Sequence, residues 1–311
     1  MRRISKNVTA EFYYWGCNPA VLHTSDGAIL FDTPQQPIDA VRWREQIIER
    51  SGRIRYLVNT EPHADHTQGN AYFPGVEVVG QRGLAVRYAK DLNMLPAITG
   101  EPHVEHLKRS DPDSVWLAES PDYPANPPTT LFDDELVLQI GDHEVRILHH
   151  PGHTAMQTAI HIPSEHVVIT GDNVFSGVRT FLQEADPWAL LQRLEDLRGL
   201  DVETIIPGHG EPVGVEYLVT QEQIIRNWLG TVESFVDKGL TLADAFAQPL
   251  DVKRDIDPYE MDQRLWQHRE WLNRANIANL YDKVCRARGV ESDLGGYVLY
   301  EDLAMAQEIP D

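Results

Sequence analysis

Cysteine is scarce: Cys17 and Cys285 are the only two in 311 residues, and they stand far apart. A disulfide scaffold is thereby excluded, and two free thiols in a reducing cytoplasm are the expectation. No apolar run reaches the roughly 18 residues a bilayer span requires. Met1-Arg2-Arg3 has the charge of an export signal's start, but no apolar stretch follows it. Positive charge is also in short supply, with 27 Lys and Arg against 48 Asp and Glu and a net charge of −21. Basic residues come only in short stretches such as Arg286-Ala287-Arg288. Such a field repels polyanions, which argues against nucleic acid or an anionic membrane surface as partner. G-x-S-x-G is missing, so a serine hydrolase is disfavoured. G-x-G-x-x-G and the P-loop pattern are missing too, so no nucleotide cofactor is supported.

What remains is a chain with 42% hydrophobic residues, enough for a globular core of one large domain or two modest ones. The first half reads as strands separated by turns and a few helices: strands at 27–32, 54–58 and 76–79, and a helix at 37–50 opened by Pro37, with Ile38, Val41 and Ile48 on its apolar face. Residues 81–130 break this rhythm. Pro121, Pro124, Pro127 and Pro128 forbid a central strand there, and the segment reads as an inserted flap or lid, or as a long surface loop. Two hairpins follow, 136–140 with 144–149 and 159–162 with 167–170. A helix after them has Asp186 as N-cap, Pro187 at its first position and Trp188, Leu191, Leu194 and Leu197 on one face. A last strand is expected at 204–206. Beyond Gly214 the pattern turns helical: 215–238, a short helix capped by Thr241 and Asp244, and a stretch from 257 to 289.

The chemistry lies in four short motifs, each placed after an expected strand: Glu61-Pro62-His63-Ala64-Asp65-His66, Pro151-Gly152-His153-Thr154, Thr170-Gly171-Asp172-Asn173 and Pro207-Gly208-His209-Gly210. Strand ends hold side chains on a rigid scaffold while their loops converge, which is what a metal cage needs. His, Asp and Glu supply the neutral or anionic donors that zinc, iron or manganese take. Chance from this composition predicts about 0.06 Pro-Gly-His triplets, and two occur. The remaining histidines have blander readings; His143 and His166, for example, are placed at turns and expected to be solvated.

In order and spacing the four motifs resemble the metallo-β-lactamase-fold hydrolases, over about residues 8–215. The family signature is His-x-His-x-Asp-His, a Gly-His, a Gly-Asp and a final Gly-His. The resemblance implies an α/β fold, a four-layered αββα sandwich with a C-terminal helical extension. Residues 1–215 would form the catalytic domain, carrying 81–130 as an insertion, and 216–311 the extension. It also implies two metal sites: residue 61, His63 and His153 in one, Asp65, His66 and His209 in the other, and Asp172 bridging them. Asp32 matches a position that orients a ligand without binding metal.

Glu61 stands where the family pattern has His. If it is a ligand, the site loses a unit of positive charge and gains a hard oxygen donor. That favours iron or manganese relative to zinc and weakens the acidity of bound water. If it points away, the first site is weak or empty. The expected function is metal-dependent hydrolysis of a small lactone, ester, thioester or amide by two divalent ions, zinc first, with Asp65 orienting the nucleophile and passing on its proton. The alternative on the same scaffold is a diiron oxidoreductase; a catalytically silent binding protein is a third reading. The partner expected is a small-molecule substrate, and the oligomeric state is open, a homo-oligomer included.

Overall fold

The structure, a computed structural model, describes residues 1–91, 103–250 and 269–306. Among the described residues, twelve strands form two sheets. The first has seven strands in sequential order: β1 (Arg2–Arg3), β2 (Val8–Ala10), β3 (Ala20–Thr24), β4 (Gly27–Phe31), β5 (Ile54–Val58), β6 (Glu77–Gln81) and β7 (Thr130–Phe132). Pairing is antiparallel as far as β4 and parallel from β4 to β7. The second has β8 (Glu135–Ile140), β9 (His143–His149), β10 (Thr158–Ile162), β11 (Val167–Ser176) and β12 (Thr204–Gly210), in the order β12-β11-β10-β9-β8. Its β11–β12 pair is parallel and its other pairs are antiparallel. The two expected hairpins are β8–β9 and β10–β11.

Side-chain alternation along these strands builds four layers, because successive residues of a strand face opposite sides. Val58, Val79, Ile29 and Phe31 of the first sheet meet Ile147, Ile160, Ile169 and Ile206 of the second in a core between the sheets. The alternate residues Leu30, Leu57 and Val78 face outward onto Ala40, Trp43 and Ile47 of the helix Pro37–Ser51. On the other side Ala159, Val168 and Ile205 face Leu190 and Leu194 of the helix Pro187–Arg198, together with Ile225 and Trp228 of Tyr217–Asp237 and Leu280 and Val284 of Arg269–Ala287. This is the αββα sandwich, with the C-terminal helices packed into its outer layer.

Local signals account for several element ends. Asp186 accepts hydrogen bonds from the Trp188 and Ala189 backbone N–H groups, and Thr241 with Asp244 forms a reciprocal capping box for Leu242–Phe246. The expected stretch 257–289 is described only as Arg269–Ala287, so Leu265 and Trp266 lie outside the described residues. Between β6 and the parallel β7 the described residues contribute the helices Arg82–Asp91, His103–Ser110 and Val115–Ala118.

Three expectations are corrected. The first helix buries Pro37, Ala40, Trp43 and Ile47, whereas Ile48 is 43% exposed. Trp43 is the largest apolar side chain available, it packs edge-on against Phe73 at 6.0 Å, and it turns the helix away from the isoleucine stripe. In Pro187–Arg198 the buried row is Leu190, Leu194 and Leu197, and Trp188 faces outward. His143 is buried, not solvated, and sits between Asp142 and Glu165.

That last network ties the N-terminus to the second sheet. Glu165 accepts from Ser5 Oγ at 2.5 Å, Asn7 N at 3.0 Å and Asn7 Nδ2 at 2.7 Å, with His143 Nε2 at 3.0 Å. Burial opposes the charged carboxylate, but these donors win and hold its pKa down at about 2. A depressed carboxyl stabilises the fold above its ordinary value of 4.5, and the contribution is lost as pH falls from there towards 2. Glu165→Gln is expected to lower stability at pH 7 by about 1 kcal/mol. In denaturant titrations the gap to wild type should close as the pH is lowered through this range; a pH-independent gap would count against the assignment.

Candidate metal centre

Parallel strands bring their C-terminal ends to one edge, and here both sheets do so together. Asp32 follows β4, and Glu61, His63, Asp65 and His66 follow the parallel neighbour β5. His153 follows β9, while Asp172 and His209 lie within β11 and β12. The expected strands thus run longer than their apolar cores, with register shifts in β11 on either side of Gly171.

All seven expected ligand residues come together. Glu61, His63, His153 and Asp172 form one group that could hold a metal ion, and Asp65, His66 and His209 another, with donor atoms in each group within 4.8 Å of one another. Glu61 Oε2 lies 2.6 Å from His63 Nδ1 and 3.5 Å from His153 Nε2, and Glu61 Oε1 lies 3.4 Å from His66 Nε2. Asp172 faces both groups: Oδ1 is 3.2 Å from His66 Nε2 and 3.4 Å from His209 Nε2, and Oδ2 is 3.6 Å from His153 Nε2. Asp65 Oδ2 approaches His209 Nε2 at 3.1 Å.

Residues behind the cluster decide which imidazole nitrogen faces it. Asp32 accepts from Thr60 N at 2.8 Å, from Thr60 Oγ1 at 2.6 Å and from His66 Nδ1 at 2.8 Å, which leaves His66 Nε2 for the cluster. His153 donates from Nδ1 to the Phe181 carbonyl at 2.9 Å, and its backbone N–H donates to Asn173 Oδ1 at 2.9 Å. His63 Nε2 points at Glu184 Oε2 at 3.3 Å, and Arg87 donates to both oxygens of that carboxylate at 2.8 and 3.2 Å. Burial pushes the Glu184 carboxyl up, but His63 and Arg87 outweigh it and hold it at about 2. His209 is stacked on Phe175 and Phe181, centroids 5.7 and 6.0 Å away.

Asp32 was legible in the sequence as a ligand-orienting acid. Asn18, Arg87, Phe181, Glu184 and Tyr300 were not. Asn18 pins the second Gly-His motif by bonding to the carbonyls of Pro207, Gly208 and Gly210. Tyr300 places its ring edge-on to His63 at 5.6 Å, backed by Trp271 at 6.1 Å. None of these carries a local motif. Cys17 lies behind His66 with Asp32, its thiol pushed up to about 12 by burial and therefore neutral.

A four-layered sandwich with a His and carboxylate cluster at one strand edge defines a class of metallohydrolase folds. Residues 13–209 match the metallo-beta-lactamase superfamily, and the chain belongs to that family. A metallo-beta-lactamase family protein from Thermus thermophilus superposes with a TM-score of 0.64 at 16% identity, covering 91% of this chain and 94% of that one. Acyl-coenzyme A thioesterase MBLAC2 of Homo sapiens is 26% identical over 181 residues, 56% of this chain and 63% of that protein. Hydroxyacylglutathione hydrolase of Maricaulis maris is 26% identical over 153 residues, 49% of this chain and 46% of that protein. The chain therefore spans less than two thirds of the curated relatives it matches. The helices after residue 209 lie beyond the family match.

The fold implies divalent metal ions, and the cluster fits them. Among the described residues, both Glu61 oxygens, His66 Nε2 and Asp172 Oδ1 are buried without a hydrogen-bond partner, a costly state unless a cation faces them. His63 Nδ1 and His153 Nε2 lie 3.3 Å apart. With the protons held by Glu184 and the Phe181 carbonyl, both present lone pairs to the same space as Glu61 Oε2. Burial disfavours imidazolium, yet neighbouring acidic groups, carboxylates for His63 and His209 and Cys17 ahead of the carboxylates for His66, raise His63 and His66 well above their ordinary range and His209 to about 10. The pocket's field calls for positive charge.

Gly208 is indispensable to this geometry, since a Cβ there would lie 1.8 Å from Asp172 Oδ1 and 2.8 Å from the Gly171 backbone. Gly208→Ala is expected to displace the Asp172 carboxylate and reduce bound metal per chain, measured by native mass spectrometry, with circular dichroism unchanged. Full metal occupancy in a folded variant would place Asp172 outside the cluster.

Proposed function

We propose that the cluster is a dinuclear metal centre and that the chain is a hydrolase of small carbonyl compounds, thioesters foremost. One site is assigned to Glu61, His63 and His153, the other to Asp65, His66 and His209, with Asp172 between them. The observation that carries this reading is the convergence of buried, partnerless acceptor atoms at the strand edge. Divalent ions bound there supply a Lewis acid for the carbonyl oxygen and acidify water to a usable nucleophile.

The chain's own residues narrow the substrate. Among the three carboxylates of the cluster, Asp65 is 29% exposed against 0% for Glu61 and 5% for Asp172, so it is the one that reaches incoming substrate. Its role is to orient the attacking water by accepting a hydrogen bond from it. Burial raises its carboxyl, but His66 and His209 dominate and hold it at about 2, so at neutral pH it is ionised and brings no proton of its own to a leaving group. A thiol ionises near 8.5 and departs with little protonation, whereas an amide nitrogen must be protonated to leave. Thioesters therefore suit this site better than amides. Relatives named as an acyl-coenzyme A thioesterase and a hydroxyacylglutathione hydrolase support the same class.

Glu61 favours a second reading, an iron-dependent oxidoreductase on the same fold, because a carboxylate in place of imidazole is a harder donor. Metal content and a substrate screen separate the two. Hydrolysis predicts a colourless zinc protein that cleaves chromogenic thioesters faster than the matching amides and stops when a chelator is added. A visible absorption band with iron, and no cleavage of any ester, lactone, thioester or amide, would overturn it.

Competitive metal loading tests the ligand assignment. Glu61→His is expected to strengthen zinc binding relative to iron. Glu61→Ala should release mainly the metal next to His63 and His153, with smaller loss at the other site through shared Asp172. Wild-type affinity for both metals in Glu61→Ala would show that Glu61 is no ligand, and the argument from carboxylate to metal preference would fall.

A further inference from the structure

Loop 177–186 sits between the metal cluster and the helix Arg269–Ala287, which lies beyond the family match. From the cluster side, this loop supplies the Phe181 carbonyl that holds His153, the Phe181 ring that stacks on His209 and the Glu184 carboxylate that faces His63. From the other side it is tied down by three asparagines spaced three residues apart on one helix face. Asn273 Oδ1 accepts from Arg179 Nη1 at 2.9 Å. Asn276 accepts from Leu182 N at 2.7 Å and donates to Thr180 O at 2.9 Å. Asn279 donates to Leu182 O at 2.7 Å and Ala185 O at 2.8 Å. Asn276 and Asn279 are buried, and Gln221 of Tyr217–Asp237 adds a bond to Thr180 Oγ1 at 3.1 Å.

Resting on the metal reading above, we propose that the C-terminal helix is part of the metal centre: Asn276 and Asn279 fix loop 177–186, and the loop, through Glu184 and Phe181, positions His63, His153 and His209. Glu184 is the sharpest member. It takes the Nε2 proton of His63 and leaves Nδ1 to face Glu61 and His153. Arg87, from the crossover between β6 and β7, clamps both oxygens of Glu184 and sets its orientation. The asparagines suit this task because one amide both donates and accepts, so it can hold a loop backbone that has no strand partner. Outer residues that orient a metal-binding histidine typically govern metal affinity, although they touch neither metal nor substrate.

The test uses the full chain, stripped of metal and titrated with zinc alone against a chromophoric chelator, with thermal stability measured in parallel. Asn276→Leu keeps the side chain's branching and removes both bonds; its zinc affinity should fall by about tenfold to a hundredfold. Arg87→Met combined with Glu184→Leu removes the buried ion pair without stranding either charge, and should cause a similar loss even if Asn276→Leu fails to fold. Glu184→Gln combined with Arg87→Met keeps an acceptor for His63 Nε2 without stranding the guanidinium and should stay close to wild type. A purely structural role predicts lower melting temperatures with unchanged zinc affinity in the folded variants, and that result overturns the inference while leaving the metal reading intact. Equal losses in the two double variants would also overturn it, since the acceptor at position 184 would then be irrelevant. A wild-type chain that takes up no zinc overturns both.

Discussion

Three carboxylates and four imidazoles converge in a largely buried space, and the balance of charge and lone pairs there constrains the rest of the molecule. Around Glu61 donors run short among the described residues: its two oxygens, His66 Nε2 and Asp172 Oδ1 all lack a hydrogen-bond partner. In a low-dielectric interior such an arrangement is unstable unless positive charge enters it. Divalent ions satisfy that demand. The single ring protons of neutral His63, His66 and His153 are drawn outward by Glu184, Asp32 and the Phe181 carbonyl, which turns their lone pairs inward.

The fold is organised to keep those groups from relaxing apart. Strands β4 and β5 of one sheet and β9, β11 and β12 of the other open at the same edge, and the core between the sheets sets their separation. Cross-links close the remaining freedom. Asn18 bonds the end of β12 from the first sheet's side, and Thr60 shares Asp32 with His66. Close approach is possible only where side chains are missing, as at Gly208 beneath Asp172.

Chemistry follows from how unequally the carboxylates are exposed. Glu61 and Asp172 are sealed and, in the proposed assignment, serve as ligands, whereas Asp65 stands partly open beside His209 and is held ionised by its neighbours. An ionised carboxylate of this kind orients a water but brings no proton to a poor leaving group, which ties the proposed substrate class to electrostatics and leaves acyl chain and carrier to the surrounding surfaces. The aromatic side chains of Tyr300 and Trp271 bring the C-terminal helices into that surrounding.

The sequence by itself determined many of the strands and helices and the four motifs, because these are written in short-range patterns; the layered fold and the seven clustered residues followed from the family resemblance that the motifs carry. Strand alternation, the capping residues Asp186 and Thr241, and the glycine and proline turns before His153 and His209 are readable over a few positions. Strands of two or three residues such as β1, β2 and β7 offered too little periodicity, and the helix Pro37–Ser51 turned to bury Trp43 rather than Ile48 because a partner surface decided the face. Glu184, Phe181, Arg87 and Asn276 were invisible for the same reason. Each acts through a partner between 28 and 121 residues away in the chain, and only tertiary packing chose that partner. The motifs named which residues meet at the cluster. The packing of loop 177–186 between that cluster and the helix Arg269–Ala287 decided which nitrogen of His63 and His153 faces inward, since a histidine's tautomer is set by whatever stands behind it.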